Sequence, residues 1–368
     1  MSNTTDRGVQ VSCYAIDRYI DENIVQPTET PLRGKDVISW GEGNSYPEYL
    51  LELYNSVPTL RSIINGSVDY IVGDDVITTH TLNGDAMNRK GDSIRDIVRK
   101  IAFDKEVYGG FALQIIRSKD GSNIAEINYV DMRYLRTNKE QDVFYYSEEW
   151  SKKWGRTSKA LIYPKFKADT KGENPAPSSI LFIKDNHTQV YPSPVYAASV
   201  KACEIERCID DFHLNAINNG FVSSYIVNFN NGEPTAEIKN EIEKNFNEKF
   251  SGHQNAGRIV YSWNRSQDTK TTIEKVDVED FGEKYQSLAK HSRQQIFTAF
   301  RANPNLFGIP TESLGFSSEE YDSAFNLFNR TMIQPVQDMI VDAFDKIFGE
   351  KDSIQIIPFS SNTISKEE

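Results

Sequence analysis

Between Ser193 and Gly220 the apolar residues Val195, Ala198, Ala202, Ile205, Ile209, Phe212 and Ala216 recur at alternating spacings of three and four. That period puts them on one stripe of an α-helix. Ser193 is a good N-cap with Pro194 at the first helical position, and Asn218-Asn219-Gly220 tolerates a left-handed C-cap, so the pattern predicts one long helix. About 25 residues at 1.5 Å each make a rod of roughly 37 Å. Lys201, Glu204, Glu206, Arg207, Asp210 and Asp211 fill the outer positions, which is too polar for a membrane span. A stripe this narrow asks for a partner helix; the plainer alternative is a core helix of a large domain.

The same reading organises the rest of the chain. Residues 1–35, with Pro27 and Pro31, read as an N-terminal arm. A short helix follows Pro47 through Leu50, Leu51 and Leu53; Pro58 breaks it, and Leu60, Ile63, Ile64, Val68 and Ile71 carry a second helix to Gly73. Ser93 and Asp96 form a capping-box variant ahead of Ile94, Ile97, Val98 and Ile101. Alternation around Asp120-Gly121 predicts a β-hairpin from Phe111 to Val130, and strands are expected at Val143–Tyr146, Ala160–Phe166 and Ile180–Lys184. This first half reads as an α+β domain. Beyond the long helix come a strand at Tyr225–Phe229, a helix at Thr235–Phe250 and strands at Arg258–Trp263 and Thr272–Val276, a small α/β insertion. A second long helix, Asp280–Arg301, has Lys284, Lys290, Arg293 and Arg301 mostly outward. A glycine- and proline-rich loop then leads to a helix over Glu319–Phe348, where Pro335 predicts a kink, and a final strand at Ser353–Phe359.

Composition narrows the function classes. The 368 residues are enough for two or three domains or one elaborated unit. Cys13, Cys203 and Cys208 form no CxxC pair, which points to a reducing compartment. No apolar run spans a bilayer and the N-terminus has no signal-peptide plan, so a soluble, non-secreted protein is expected. A formal net charge of −12 argues against tight, indiscriminate nucleic-acid binding.

No nucleotide-binding loop, dinucleotide fingerprint, nucleophile elbow or HExxH helix occurs, and His80, His187, His213, His253 and His291 lack ligand spacing. The carboxylates Asp277, Glu279, Asp280 and Glu283 invite a metal, yet as the acidic start of a helix they are explained by the macrodipole. No cofactor, metal or catalytic residue is assigned. Lys284, Lys290, Arg293 and Arg301 are candidates for a DNA-facing stripe, with a solvated helix face as the alternative.

Taken in order, these elements resemble the portal proteins of tailed bacteriophages, specifically the compact HK97-like family. The resemblance rests on NSYPEYLLELYNSVPTLRSII, on YPSPVYAASVKACEIERCIDDFHLNAINNGFVSSYIVNF, on FSGHQNAGRIVYSW with Asn255, Ala256, Gly257 and Arg258, and on HSRQQIFTAFRANPNLFGI. It covers most of residues 40–349, and its specificity lies in order and spacing.

The resemblance implies an α+β portal architecture: a wing over 36–190, stem helices over 191–222 and 279–303, and a clip over 223–278. A tunnel loop would span 304–318, including Gly308, Ile309, Pro310, Thr311, Glu312, Ser313, Leu314, Gly315 and Phe316; a kinked wing helix would span 319–349, and 350–368 would be a strand and tail with the crown minimal or absent. It further implies a homo-oligomeric ring, a dodecamer in the virion, at one capsid vertex. Double-stranded DNA would pass through it without sequence specificity during packaging and ejection. Terminase, a head-tail connector and capsid or scaffold proteins would be its partners, with assembly in the bacterial cytoplasm and no membrane involved. The competing readings are a ring-forming head-tail adaptor or scaffold component of a phage-like particle that never threads DNA and, further off, a metal-dependent nuclease using the four carboxylates above.

Overall fold

The computed structural model describes residues 24–32, 36–150, 160–168, 175–185, 189–218, 225–229, 259–263, 273–275, 281–308 and 318–359. For 215–218, 225–229, 259–263, 273–275, 281–284 and 318 it describes the backbone alone. The chain divides into two units, one of Met1–Asn55, Arg61–Ala197 and Asn303–Glu368, the other of Ser56–Leu60 and Ala198–Ala302.

In the first unit, helices α1 (Tyr46–Ser56) and α2 (Pro58–Val72) are separated at Val57, with Pro58 opening α2, where its missing N–H costs nothing. Gly73 ends α2 at φ 64°, and a Cβ there would stand 2.1 Å from the Ile357 carbonyl, so this bend requires glycine. Beyond it β1 (Asp75–Thr78) pairs antiparallel with β11 (Ile354–Ile357), tying the far end of the chain to the end of α2. Helix α3 (Ile94–Tyr108) opens with the Ser93–Asp96 capping box and closes on Gly109 in the left-handed conformation.

From Gly109 the chain enters β2 (Gly110–Arg117), which turns at Asp120-Gly121 into β3 (Ile124–Val130). With β7 (Ser178–Lys184) they form an antiparallel sheet of order β3-β2-β7. A second antiparallel sheet, β4-β5-β6, is built from Leu135–Thr137, Val143–Tyr146 and Leu161–Pro164. The core of this unit carries a cation. Arg136 is fully buried and donates to Asn44 Oδ1 at 2.6 Å, the Asn44 carbonyl at 3.0 Å and the Arg133 and Leu135 carbonyls at 2.8 Å. The Trp40 and Trp150 rings lie over its guanidinium at 5.6 and 5.1 Å. Trp40 also stacks on Tyr191, whose hydroxyl donates to the Ile38 carbonyl and accepts from the Thr137 N–H.

In the second unit, helix α4 (Val200–Asn218) and helix α5 (Phe281–Ala299) flank, in sequence, the strands β8 (Tyr225–Phe229), β9 (Ile259–Trp263) and β10 (Ile273–Lys275). Their sheet has the order β10-β8-β9, with β8 and β9 parallel. A parallel pair needs a crossover connection; the helix expected at Thr235–Phe250 falls in that connection, outside the described residues.

One expectation is corrected, the start of the long helix. The long helix does not start at Ser193: a turn closes from the Ala197 N–H to the Pro194 carbonyl, a 3-10 turn covers Ala197–Ser199, and α-helix begins at Val200. Tertiary contacts override the local cap signal. Tyr196 is fully buried with its hydroxyl donating to the Val107 carbonyl, and the Ser193 carbonyl lies where a Cβ on Gly109 would be, 2.1 Å away. The C-terminal helix carries an irregular turn ahead of Pro335. It runs as α6 (Ser318–Phe328), a π turn (Asn329–Ile333) and α7 (Gln334–Phe348). The Gln334 N–H reaches back to the Asn329 carbonyl, so one widened turn stands just ahead of Pro335, which has no N–H to give.

Candidate functional site

The residues singled out by the sequence concentrate on α4, α5 and the segment after α5. Helices α4 and α5 pack against each other and run antiparallel, since their contacts descend one helix as they climb the other. Ser199, just before α4, donates its hydroxyl to the Gln295 carbonyl at 3.1 Å; Arg293 Nε stands 3.6 Å from Glu206 Oε1; Phe212 stacks on Tyr285 at 4.6 Å. His213 meets the same Tyr285 ring edge-on at 5.9 Å.

The buried face of α4 runs through Ala202, Cys203, Glu206 and Ile209, together with Ser199. The expected stripe coincides with that face only in part. Ala202 and Ile209 are buried and Ile205 is half-buried, but Val195, Ala198 and Phe212 are exposed; the Ala216 side chain lies outside the described residues. Phe212 is 44% exposed in spite of its stacking, and Leu214 and Leu288 stand 58% and 39% exposed. The helix pair therefore has one seam within the chain, which Phe212 joins, and a second apolar edge left exposed at Leu214 and Leu288.

Two carboxylates lie on α4 where apolar residues would be expected. Glu204 is buried with the Arg207 guanidinium 2.8 Å away, one turn on. Glu206 accepts from the Thr59 hydroxyl at 2.7 Å through Oε1, while Oε2 is buried without a hydrogen-bond partner. Burial pushes the Glu206 carboxyl above its ordinary value and the nearby Asp210 adds to this; Thr59 and Arg293 pull the other way. Neither acid stood out in the sequence, where both read as outer positions. The one signal for Glu206 is that it lies three and four residues after the buried small side chains Cys203 and Ala202; Glu204 has none. Cys203 is buried and Cys208 half-buried; both are free thiols, and burial pushes both up, away from reactive thiolate.

Of the basic candidates, Lys290, Arg293 and Arg301 are exposed and the Lys284 side chain lies outside the described residues. Arg293, half-exposed, faces the buried Glu206 from α5, so part of its charge is already engaged.

After α5, Asn303 caps a 3-10 turn (Pro304–Phe307) that ends at Gly308 with φ 73°. This turn is held from two sides. Phe307 packs on Gly66 of α2, where a Cβ would come within 2.7 Å of its ring, and the Tyr70 and Ser62 hydroxyls donate to the Leu306 and Phe307 carbonyls. Tyr70 also gathers the rings of Phe307, Phe325, Phe328 and Phe359 at 5.5 to 6.3 Å, joining the turn to α6. Of the tunnel-loop candidates from Gly308 to Phe316 only Gly308 is described, and it is exposed; Ile309, Pro310, Thr311, Glu312, Ser313, Leu314, Gly315 and Phe316 lie outside the described residues, as do Asn255, Ala256, Gly257 and Arg258. Asp277, Glu279, Asp280 and the Glu283 side chain lie outside them too. Among the described residues no group of three His, Cys, Asp or Glu is placed to hold a metal ion, and no helix is long and apolar enough to cross a membrane.

The family model described as phage portal protein matches residues 86–364. No curated protein matches the chain. Among solved structures the chain is similar to a protein in the neck of a native gene transfer agent (GTA) particle computed with C12 symmetry: TM-score 0.54, 15% identity, 86% of this chain and 85% of that one covered. It is similar as well to an HK97-family phage portal protein from Corynebacterium diphtheriae, with TM-score 0.54, 8% identity and 86% and 97% of the two chains covered. At such identities the likeness is one of fold.

Proposed function

The chain belongs to the phage portal protein family, and from that premise we propose that it forms a closed ring of identical subunits at one vertex of a phage-like particle. The bore of the ring is the passage for double-stranded DNA during packaging and ejection. In this reading α4 and α5 belong to the stem (191–222 and 279–303), and the β8–β10 sheet belongs to the clip (223–278), where terminase and later a head-tail connector dock. Residues 36–190 and 319–349 form the wing, and 304–318 form the tunnel loop at the narrowest part of the bore. The neck of the GTA particle was computed with C12 symmetry, which supports a ring of twelve.

The observation that carries the reading is the antiparallel pair α4/α5, interrupted in sequence by a small sheet and carrying a second apolar edge. Head-to-tail contact through such an edge closes identical chains into a ring. A net charge of −12 suits a conduit that must release the polyanion it guides. The role is mechanical, and no catalytic group is assigned. Light scattering followed by electron-microscopic class averages tests it. Rings of about a dozen subunits with a hole wide enough for duplex DNA are expected. Rings too narrow for duplex would favour an adaptor, and a chain that stays monomeric with capsid partners present would overturn the proposal.

A further inference from the structure

Strand β7 is the outer strand of its sheet, and only part of its free side is covered. Phe166 donates its N–H to the Ile180 carbonyl at 2.7 Å, and Lys165 bridges Ile180 in parallel, so the Ile180 main chain points away from β2. Alternation along the strand aims the main-chain groups of Phe182 and Lys184 the same way. The register agrees, because the N–H of Ile127 on β3 leaves the sheet for the Met87 carbonyl. That assigns Ala112 and Gln114 of β2 to β3, and Phe111, Leu113 and Ile115 to Ile183, Leu181 and Ser179 of β7. The outward N–H and C=O of Phe182 and Lys184 meet no backbone partner among the described residues.

That open edge borders a cavity of about 570 Å³. Phe182 and Ile183 point to opposite faces of the sheet, yet both line it, so the cavity follows the edge and not a face. Its opposite wall is α7, with Pro335 and Met339 as apolar surface and Asp338 and Asp342, one turn apart, at the rim. Both aspartates are exposed, and neither has an ion pair or hydrogen bond among the described residues. The two lysines of the cavity differ from them. Lys184 is engaged, its ammonium donating to the Gln189 carbonyl, and Lys346 stands a turn beyond Asp342 at the far end.

We propose that this edge is a docking groove for an extended peptide of a partner protein, which adds a strand beside Phe182 and Lys184 and sets basic side chains against Asp338 and Asp342. Unpaired main-chain groups recognise a strand whatever its sequence, while the cavity and the acidic pair supply the selection. Nucleic acid is disfavoured by the same two carboxylates.

The test uses full-length protein and two labelled hexapeptides, Val-Lys-Val-Lys-Val-Lys and Val-Glu-Val-Glu-Val-Glu, followed by fluorescence anisotropy and amide hydrogen exchange. The lysine peptide should bind at least about tenfold more tightly and slow exchange at Phe182 and Lys184. The double variant Asp338→Lys, Asp342→Lys, at exposed helix positions, should reverse the preference. Phe182→Pro, which removes an outward N–H while leaving the bonds to β2, should abolish binding; if it does not fold, the aspartate variant decides. Equal binding of both peptides, binding of neither, or an unchanged preference in the aspartate variant overturns the proposal. Protection of these two amides in peptide-free assembled protein also overturns it and gives the edge to a second copy.

Discussion

Two buried charges, one in each unit, are held in opposite ways. In the first, the Arg136 guanidinium is enclosed by four oxygen acceptors and two tryptophan rings, all from its own unit. In the second, Glu206 is buried with one oxygen bound by Thr59 and the other unpaired. A satisfied buried ion fixes a core, whereas an unsatisfied one costs stability and marks a place that is unfinished in the single chain. Phe212, Leu214 and Leu288 are exposed on the same two helices, α4 and α5. We read the helix pair as completed by assembly.

The largest effect should come from dismantling the complete site. Arg136→Ala strips the donors from four buried oxygens and leaves a void between two indoles, for a loss of about 3–5 kcal/mol in chemical denaturation. A loss under about 1 kcal/mol would mean the site is not the anchor described. Thr59→Val removes the one short hydrogen bond to Glu206 and should cost about 1.5–3 kcal/mol, read as the unfolding transition of the helix pair.

The smallest effect concerns pH. Because the folded-state value of Glu206 is raised, its contribution is fully present below the ordinary glutamate value of 4.5 and is lost as pH rises through the higher folded value. Acid should therefore favour the helix pair. Asp92 and Asp96 of the first unit behave oppositely: hydrogen bonds from Lys100 and Ser93 hold them below the ordinary 3.8, so their stabilisation disappears as pH falls through those lowered values. Glu206→Gln should flatten the Glu206 response alone. An unchanged pH profile in that variant would remove Glu206 from the account.

Much of the first unit was legible because its signals are local. The Asp120-Gly121 turn, the Ser93–Asp96 cap and the aromatic run at Val143–Tyr146 each declare an element within a few residues. What depends on distant partners was not. Strand β1 is four residues long and exists because Ile354–Ile357 comes to pair with it, and β4 is held to three residues by β5. Ser193-Pro194 reads as a helix start, yet Tyr196 and Gly109 hold that segment outside the helix. On α4 the period revealed a helix with an apolar edge. It did not separate the edge facing α5 from the edge left exposed, because glutamates occupy part of the buried face and imitate an outer one.

That distinction gives the central test. Ile209 is buried, whereas Ile205 is half-buried and Phe212, though stacked on Tyr285, stays exposed. Ile205→Asp should leave a folded chain, judged by its denaturation midpoint, that no longer forms rings, while Ile209→Asp should unfold the pair outright. The measurement is the particle mass of Ile205→Asp beside the parent protein by light scattering. A monomer with an intact fold is the predicted result, and rings of parental mass would contradict the claim that this edge closes the assembly.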